Sequence, residues 1–152
     1  MAGTLATGAM SALMMGARRS GLMGQMPPEK ITSRALDAAG FWRRHPQVQD
    51  LLATALHFAF GGGAGAMFAV GSRQVNPPLP PAIQGMLWGT AVWGVSYLGW
   101  VPALGIMPPA TRDRPGRAMT MLSAHWLYGA VLGQLLAATV KPARRVSAPA
   151  PA

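Results

Sequence analysis

The sequence predicts an all-α, multi-pass membrane protein in which four transmembrane helices form one bundle. Apolar residues make up 51% of the 152-residue chain and charged residues only 11%, well below the roughly 25% typical of soluble domains. The charges are confined to short stretches, and the long runs between them contain none. A soluble domain built from such uniformly apolar helices would lack the polar surface to cover them.

Four charge-free runs provide the predicted transmembrane helices: 2–17, 51–70, 82–110 and 118–140. The last three reach the roughly 20 residues that a helix needs to cross a bilayer. The first can also span if it continues past Arg18 and Arg19 and their side chains extend toward the headgroups. We therefore predict one bundle over residues 1–140, with helices at about 2–22, 51–70, 83–106 and 118–140.

The first loop and the C-terminal tail have distinct compositions. Pro27 and Pro28 suit the start of a helix, and Ile31 and Leu36 lie on the apolar side of a modest amphipathic pattern. We expect a short interfacial helix at about 29–39, followed by a headgroup-level belt of aromatic and basic residues at 41–44. The tail, 141–152, is basic and then rich in Pro and Ala, and is expected to be disordered.

The distribution of Lys and Arg predicts the orientation. Thirteen basic residues against four acidic ones give a net charge of +9. Nine of the thirteen lie in loops 18–50 and 111–117. Because basic loops remain in the cytoplasm, we expect both loops there and both termini outside. Basic residues beside apolar runs indicate membrane lipids as partners, rather than nucleic acid.

Two sequence motifs each occur twice along the chain. The pattern His–aromatic–x–aromatic–Gly–x–x–x–Gly occurs at 57–65 and again at 125–133, and Gly-x-Met-Pro-Pro occurs at 24–28 and 105–109. Their order predicts a tandem duplication of a helical hairpin. Two crossings per copy would relate the copies by a pseudo-twofold axis along the membrane normal.

This repeat predicts a central polar site. His57 and His125 each lie about seven residues, or ~10 Å, into their charge-free runs and should face each other at one depth. Candidate ligand-binding residues are His57, His125, Tyr97, Trp93 and Tyr128, and candidate helix-packing residues are Gly61, Gly65, Gly129 and Gly133.

The two histidines admit two interpretations. In the first, they hydrogen-bond across helices to Tyr97, Ser96, Ser123 or a backbone carbonyl. In the second, they are axial ligands of a haem b clamped over the glycine faces, as in membrane electron-transfer bundles. The expected cofactor is none under the first interpretation and haem b under the second. A bound lipid, quinone or other small hydrophobic molecule is a further possibility.

Several functional classes lack the residues that they require. The chain has no cysteine, which excludes disulfides and thiolate chemistry. The apolar runs contain no Asp, Glu, Lys or Arg for a coupled carrier, and only His57 and His125 could titrate there. Hydrolase motifs are missing. We therefore expect a non-enzymatic accessory, scaffold or ligand-binding protein, with other membrane subunits or a second copy as possible partners. A haem protein and a small channel or transporter are the alternatives.

A family resemblance rests on short motifs: residues 7–10, Pro27-Pro28-Glu29, His57 and His125-Trp126-Leu127-Tyr128-Gly129. With these motifs the chain resembles the YagU-like family of small, uncharacterised bacterial inner-membrane proteins over about residues 1–140. The resemblance implies an inner-membrane location and a multi-pass helical fold. It provides no catalytic residues to transfer.

Overall fold

Helices form the secondary structure throughout the computed structural model, which describes residues 1–40, 46–75 and 77–139. The helices are α1 (Ala2–Arg19), α2 (Pro27–Ala38), α3 (Pro46–Gln74), α4 (Pro81–Gly94), a π-helical segment (Val95–Trp100), α5 (Val101–Ala103) and α6 (Pro115–Thr139). No strand occurs in these ranges. The all-α fold class is confirmed, whereas the predicted belt at 41–44 and the tail 141–152 lie outside the described residues.

Helix boundaries follow local capping rather than the limits of the apolar runs. α3 begins at Pro46, before the predicted residue 51, because proline suits the first helical turn and the polar residues after it are compatible with an exposed turn. α1 ends at Arg19, before the predicted residue 22. There Gly21 adopts φ 75°, and the Leu22 amide donates to the Ala17 carbonyl at 3.1 Å, which closes the helix with a left-handed glycine.

The third predicted helix, 83–106, is helical from Pro81 to Ala103 but is not regular. Its central part is the π-helical segment, in which Gly99 departs from helical geometry at φ −105° and ψ −107°. Pro102 follows three residues later, has no amide hydrogen, and crowds the carbonyl one turn before it. Gly99 can adopt the distorted conformation that this proline imposes, so the helix bends here instead of ending.

The helices pack in the order α4, α6, α1, α3, so that α6 lies between α4 and α1. α2 packs against α3 at the end of the bundle where the two basic loops meet. At that end, Arg117 of α6 lies beside Gly24 of the first loop. α3 and α4 have little contact with each other beyond the rings of Phe68 and Trp88, whose centroids are 6.0 Å apart. The bundle is therefore open along most of the boundary between α3 and α4.

Glycines allow the backbones of neighbouring helices to touch at two interfaces. Between α1 and α3, a Cβ added to Gly3 would lie 2.6 Å from the Gly61 carbonyl oxygen, and one added to Gly65 would lie 2.7 Å from the Gly3 Cα. Between α4 and α6, a Cβ added to Gly129 would lie 2.5 Å from the Gly85 carbonyl carbon. All four glycines predicted to pack helices thus lie at these interfaces, since Gly133 meets the backbone of Pro81 in the same way.

Two helices are long and apolar enough to cross a membrane: α3, and α6 from Gly116 to Thr139. The sequence predicted four such helices, so this criterion identifies half of them among the described residues. α3 also presents apolar side chains outward, including Leu51, Met67 and Val70. A belt of exposed apolar side chains is typical of a surface in contact with lipid or with another protein.

Substituting Gly129 by Ala is expected to destabilise the fold. The added methyl group would overlap the backbone at Gly85, and overpacking of this kind costs about 1–3 kcal/mol. The matched control is Gly63→Ala in α3, where nothing lies within 4 Å of the added Cβ. This control should retain or slightly raise stability, because alanine favours helix more than glycine does. Thermal unfolding followed by circular dichroism in detergent would contradict the interface if both variants melted alike.

Candidate site: an apolar cavity between α3 and α4

A cavity of about 400 Å³ occupies the gap between α3 and the C-terminal end of α4, where the π-helical segment that follows α4 provides most of the opposite wall. Its walls come from all the long helices and are mainly apolar, with Met10, Met14, Leu56, Phe60, Val101 and Met121 among the lining residues. None of the residues that line it is Asp, Glu, Lys or Arg. Its size falls within the range of about 300–1,000 Å³ found for small-molecule sites. The site is therefore a neutral, largely apolar chamber with a few polar side chains.

His125 is a buried polar group on the cavity wall, with 7% of the residue exposed. Its Nδ1 lies 2.7 Å from the carbonyl oxygen of Met121, one turn earlier in α6. Because a carbonyl can only accept, the Nδ1 atom must carry the proton of this bond. In the uncharged ring Nε2 is then a bare acceptor, and no described residue donates to it.

His57 lines the same cavity from α3. Its Nε2 is buried and has no hydrogen-bond partner among the described residues. The two histidines lie at similar positions, eleven residues after Pro46 and ten after Pro115, and both line this cavity. Among the described residues neither histidine forms the predicted bond to another helix: His125 bonds within its own helix, and Nε2 of His57 has no partner.

The two predicted tyrosines also line the cavity, and both hydroxyl groups are engaged elsewhere. Tyr128 donates to the Gly61 carbonyl of α3 at 2.6 Å, which provides an interhelical bond. Tyr97 donates to the carboxylate of Asp113. Trp93 does not line the cavity. It packs edge-on against Tyr97, with ring centroids 6.1 Å apart, and so supports the cavity wall from behind.

The glycine faces do not provide the slot expected for a flat cofactor. Gly61 and Gly65 are covered by α1, and Gly129 and Gly133 are covered by α4. A haem would therefore have to occupy the cavity itself. Within the described ranges, no group of three or more His, Asp or Glu side chains could hold a metal ion.

α2 covers the cavity at the basic end of the bundle. Pro27, Pro28, Ile31 and Thr32 contribute to its lining. The N-terminal end of α2 is fixed by Glu29, whose carboxylate accepts from the Met26 amide at 3.2 Å and forms an ion pair with Arg18 at 2.7 Å. The short helix predicted at the interface is thus present, and one of its faces closes the cavity.

Asp113 and Arg117 form a buried ion pair that was not among the predictions from the sequence. Their closest atoms are 3.2 Å apart, and their side chains are only 4% and 10% exposed. The Arg114 amide donates to the same carboxylate at 2.7 Å. A signal was available, because Asp followed four residues later by Arg at a helix start can form an ion pair. The partner Tyr97, sixteen residues away, could not be inferred from spacing.

The ion pair has an electrostatic consequence for Asp113. Burial alone would raise the pKa of its carboxyl. The hydrogen bonds from Tyr97 and the Arg114 amide, together with the charge of Arg117, outweigh burial and hold the pKa below its ordinary value of 3.8. Asp113 therefore remains ionised at neutral pH and ties the π-helical segment to the start of α6.

Together, these features define a class: an all-helical protein with two candidate membrane spans and one apolar chamber bearing paired histidines. The chain belongs to DUF6789, a family of unknown function, whose match covers residues 1–146. No protein of curated function and no solved structure matches the chain. The resemblance to the YagU-like family is not tested by these comparisons and stays a prediction.

Replacing Asp113 by Asn is expected to lower the free energy of unfolding at pH 7 by about 2–4 kcal/mol, because Arg117 would remain buried without its ionic partner. The pH dependence should change as well. The folded-state pKa of Asp113 is the lowered one, so its contribution is present above the ordinary value of 3.8 and is lost as the pH falls below it.

The Asn variant should therefore lose less stability than the unchanged protein on acidification. Thermal melts from pH 7 to pH 3 measure both effects, with Asp50→Asn on the exposed surface of α3 as the control. Equal stability of the two variants at pH 7 would contradict a structural role for the ion pair.

Proposed function

We propose that the chain is a membrane protein with four spans, formed by α1, α3, the helical run 81–103 and α6. The 18 residues of α1 extend ~27 Å, close to the hydrocarbon thickness, with Arg18 and Arg19 at one end. The run 81–103 contains no charged side chain. Its outward residues include the exposed Ile83, Leu87, Val95 and Leu98. In this arrangement the four spans cross the inner membrane of a bacterial cell, and the basic loops lie on its cytoplasmic side.

The four spans form two related hairpins in this proposal. Both glycine interfaces pair the first helix of a hairpin with its second: Gly3 meets Gly61 as Gly85 meets Gly129. Both first helices also end in a left-handed glycine, at Gly21 and at Gly105. Each of these glycines is followed two residues later by a buried methionine, Met23 or Met107. These matches align Gly-Leu-Met at 21–23 with Gly-Ile-Met at 105–107. The predicted alignment paired 24–28 with 105–109, so the two alignments differ by three residues.

The four-span arrangement can be tested by labelling, because the chain contains no cysteine and single cysteines can be introduced freely. Ser20→Cys and Thr111→Cys report on the two basic loops, and Val75→Cys reports on the opposite end of the bundle; all three positions are exposed. In intact cells, a membrane-impermeant maleimide should label only Val75→Cys. Permeabilisation should allow labelling at the other two positions, and labelling of all three in intact cells would contradict the topology.

We infer that the bundle binds a lipid chain or another small hydrophobic molecule in the cavity between α3 and α4. The observation that carries this proposal is the neutral apolar chamber of about 400 Å³ at a boundary where two helices scarcely touch. Within a membrane this boundary faces the acyl chains, so an apolar molecule could enter sideways without crossing water. The function is non-enzymatic binding or presentation of that molecule.

Haem b is the second candidate ligand, and one observation favours it. Nε2 of His57 is unpartnered, Nε2 of His125 has no donor, and both rings line one cavity. An imidazole whose Nδ1 donates to a carbonyl has the form in which Nε2 binds a metal. The apolar molecule is preferred because the cavity lining contains no cationic side chain to pair with haem propionates.

Filling the cavity should weaken ligand binding. Ala53 is 3% exposed and lines the cavity, so Ala53→Phe should reduce the amount of co-purifying apolar ligand severalfold. Ala55→Phe is the matched control, because residue 55 lies on the same helix but is exposed and outside the cavity. Native mass spectrometry of protein in detergent measures the bound ligand. Equal occupancy in both variants would contradict the site, and a Soret band in the unchanged protein would favour haem.

A further inference from the structure

The hydrogen-bonding groups on the cavity wall restrict which apolar molecules can bind there. Five lining residues carry a hydroxyl group, among them Thr32 and Ser96. The other three hydroxyl groups already donate to the protein itself. Thr7 donates to the Gly3 carbonyl at 2.7 Å, Tyr128 to the Gly61 carbonyl at 2.6 Å, and Tyr97 to Asp113. These protons are therefore not available to a ligand that can only accept hydrogen bonds.

His125, in contrast, requires a hydrogen-bond donor. With its Nδ1 proton held by the Met121 carbonyl, Nε2 needs a donor. The ring has no acidic neighbour in the cavity lining that would favour a charged imidazolium. The His125 residue is 7% exposed and lines the cavity. A ligand there shields Nε2 from water, and an acceptor left without a partner is costly, so a ligand that donates a hydrogen bond here would bind better than one that cannot.

His57 adds a second polar group without a described partner. Its unpaired Nε2 lies in the wall of the same cavity, and a neutral imidazole offers one donor and one acceptor. A hydroxyl group can donate to one ring and accept from the other. A carbonyl or ether can only accept, and a carboxylate would be buried without a cation among the lining residues.

We propose that the natural ligand is an apolar molecule that carries a hydroxyl group, which donates to Nε2 of His125 beside His57. This inference rests on the proposed binding function and specifies the chemical class of the ligand as a long-chain or ring-bearing alcohol or phenol. The apolar part of the ligand lies against Leu56, Phe60 and Trp100. The hydroxyl group lies between the histidines.

The test compares 1-dodecanol, dodecyl methyl ether and dodecanoate as probes of the full-length protein in lipid nanodiscs. Each probe competes with a diazirine-bearing dodecanol for photolabelling of peptides from α3 and α6, measured by mass spectrometry. At equal membrane concentration, dodecanol should compete about three- to tenfold better than the ether, as expected for one hydrogen bond. Dodecanoate should compete least.

Variants assign the preference to His125. His125→Phe keeps a ring of similar size without an acceptor and should reduce the alcohol-to-ether ratio to about one. His125→Gln retains an acceptor and should keep part of the ratio. Trp126→Phe, at the exposed neighbouring position, should behave like the unchanged protein. If His125→Phe does not fold, the alcohol-to-ether ratio measured for the unchanged protein alone decides whether the ligand needs a hydroxyl group.

The possible results separate the two proposals. Saturable labelling in which alcohol and ether compete equally, or in which His125→Phe keeps the preference, would overturn the hydroxyl requirement and leave the binding function intact. If no probe suppresses the labelling of α3 and α6 peptides, the binding function itself is wrong.

Discussion

Direct backbone contact through glycine determines where each helix of this bundle can lie. α6 touches α4 at Gly129 and Gly133, and α3 touches α1 at Gly61 and Gly65. Such contacts bring helix axes close together and allow little lateral adjustment. Since α1 also packs on α6, three interfaces are fixed while α3 and α4 remain apart. The position of the cavity therefore follows from which helix faces carry glycine.

The polar groups inside the bundle divide into those that the fold satisfies and those that it leaves open. Tyr128 satisfies a carbonyl of α3, and Tyr97 joins the π-helical segment to the Asp113–Arg117 pair. Each of these bonds connects two elements and stabilises the bundle. The histidines connect none, since His125 bonds only its own helix. Unsatisfied polar atoms are uncommon in native interiors and invite a functional explanation.

The sequence predicted the helices and the shared position of His57 and His125, because charge-free runs and a repeated phrase are local signals. It did not predict the distortion at Gly99, which depends on how Pro102 is accommodated within a long helix. It also missed the link from Tyr97 to Asp113 and the position of Trp93 behind the wall. These features depend on the rotation of each helix about its axis, and uniformly apolar helices carry little periodic signal from which to derive that rotation.

The route into the cavity follows from what closes its two ends. At the basic end, α2 covers the opening, and Glu29 fixes its start through Arg18. At the other end, Phe68 and Trp88 bring α3 and α4 together one turn beyond Ala64, the last cavity-lining residue of α3. Between these closures the boundary of α3 and α4 is open, and in the four-span arrangement it faces lipid. A ligand that partitions into the bilayer could then reach the histidines by lateral diffusion.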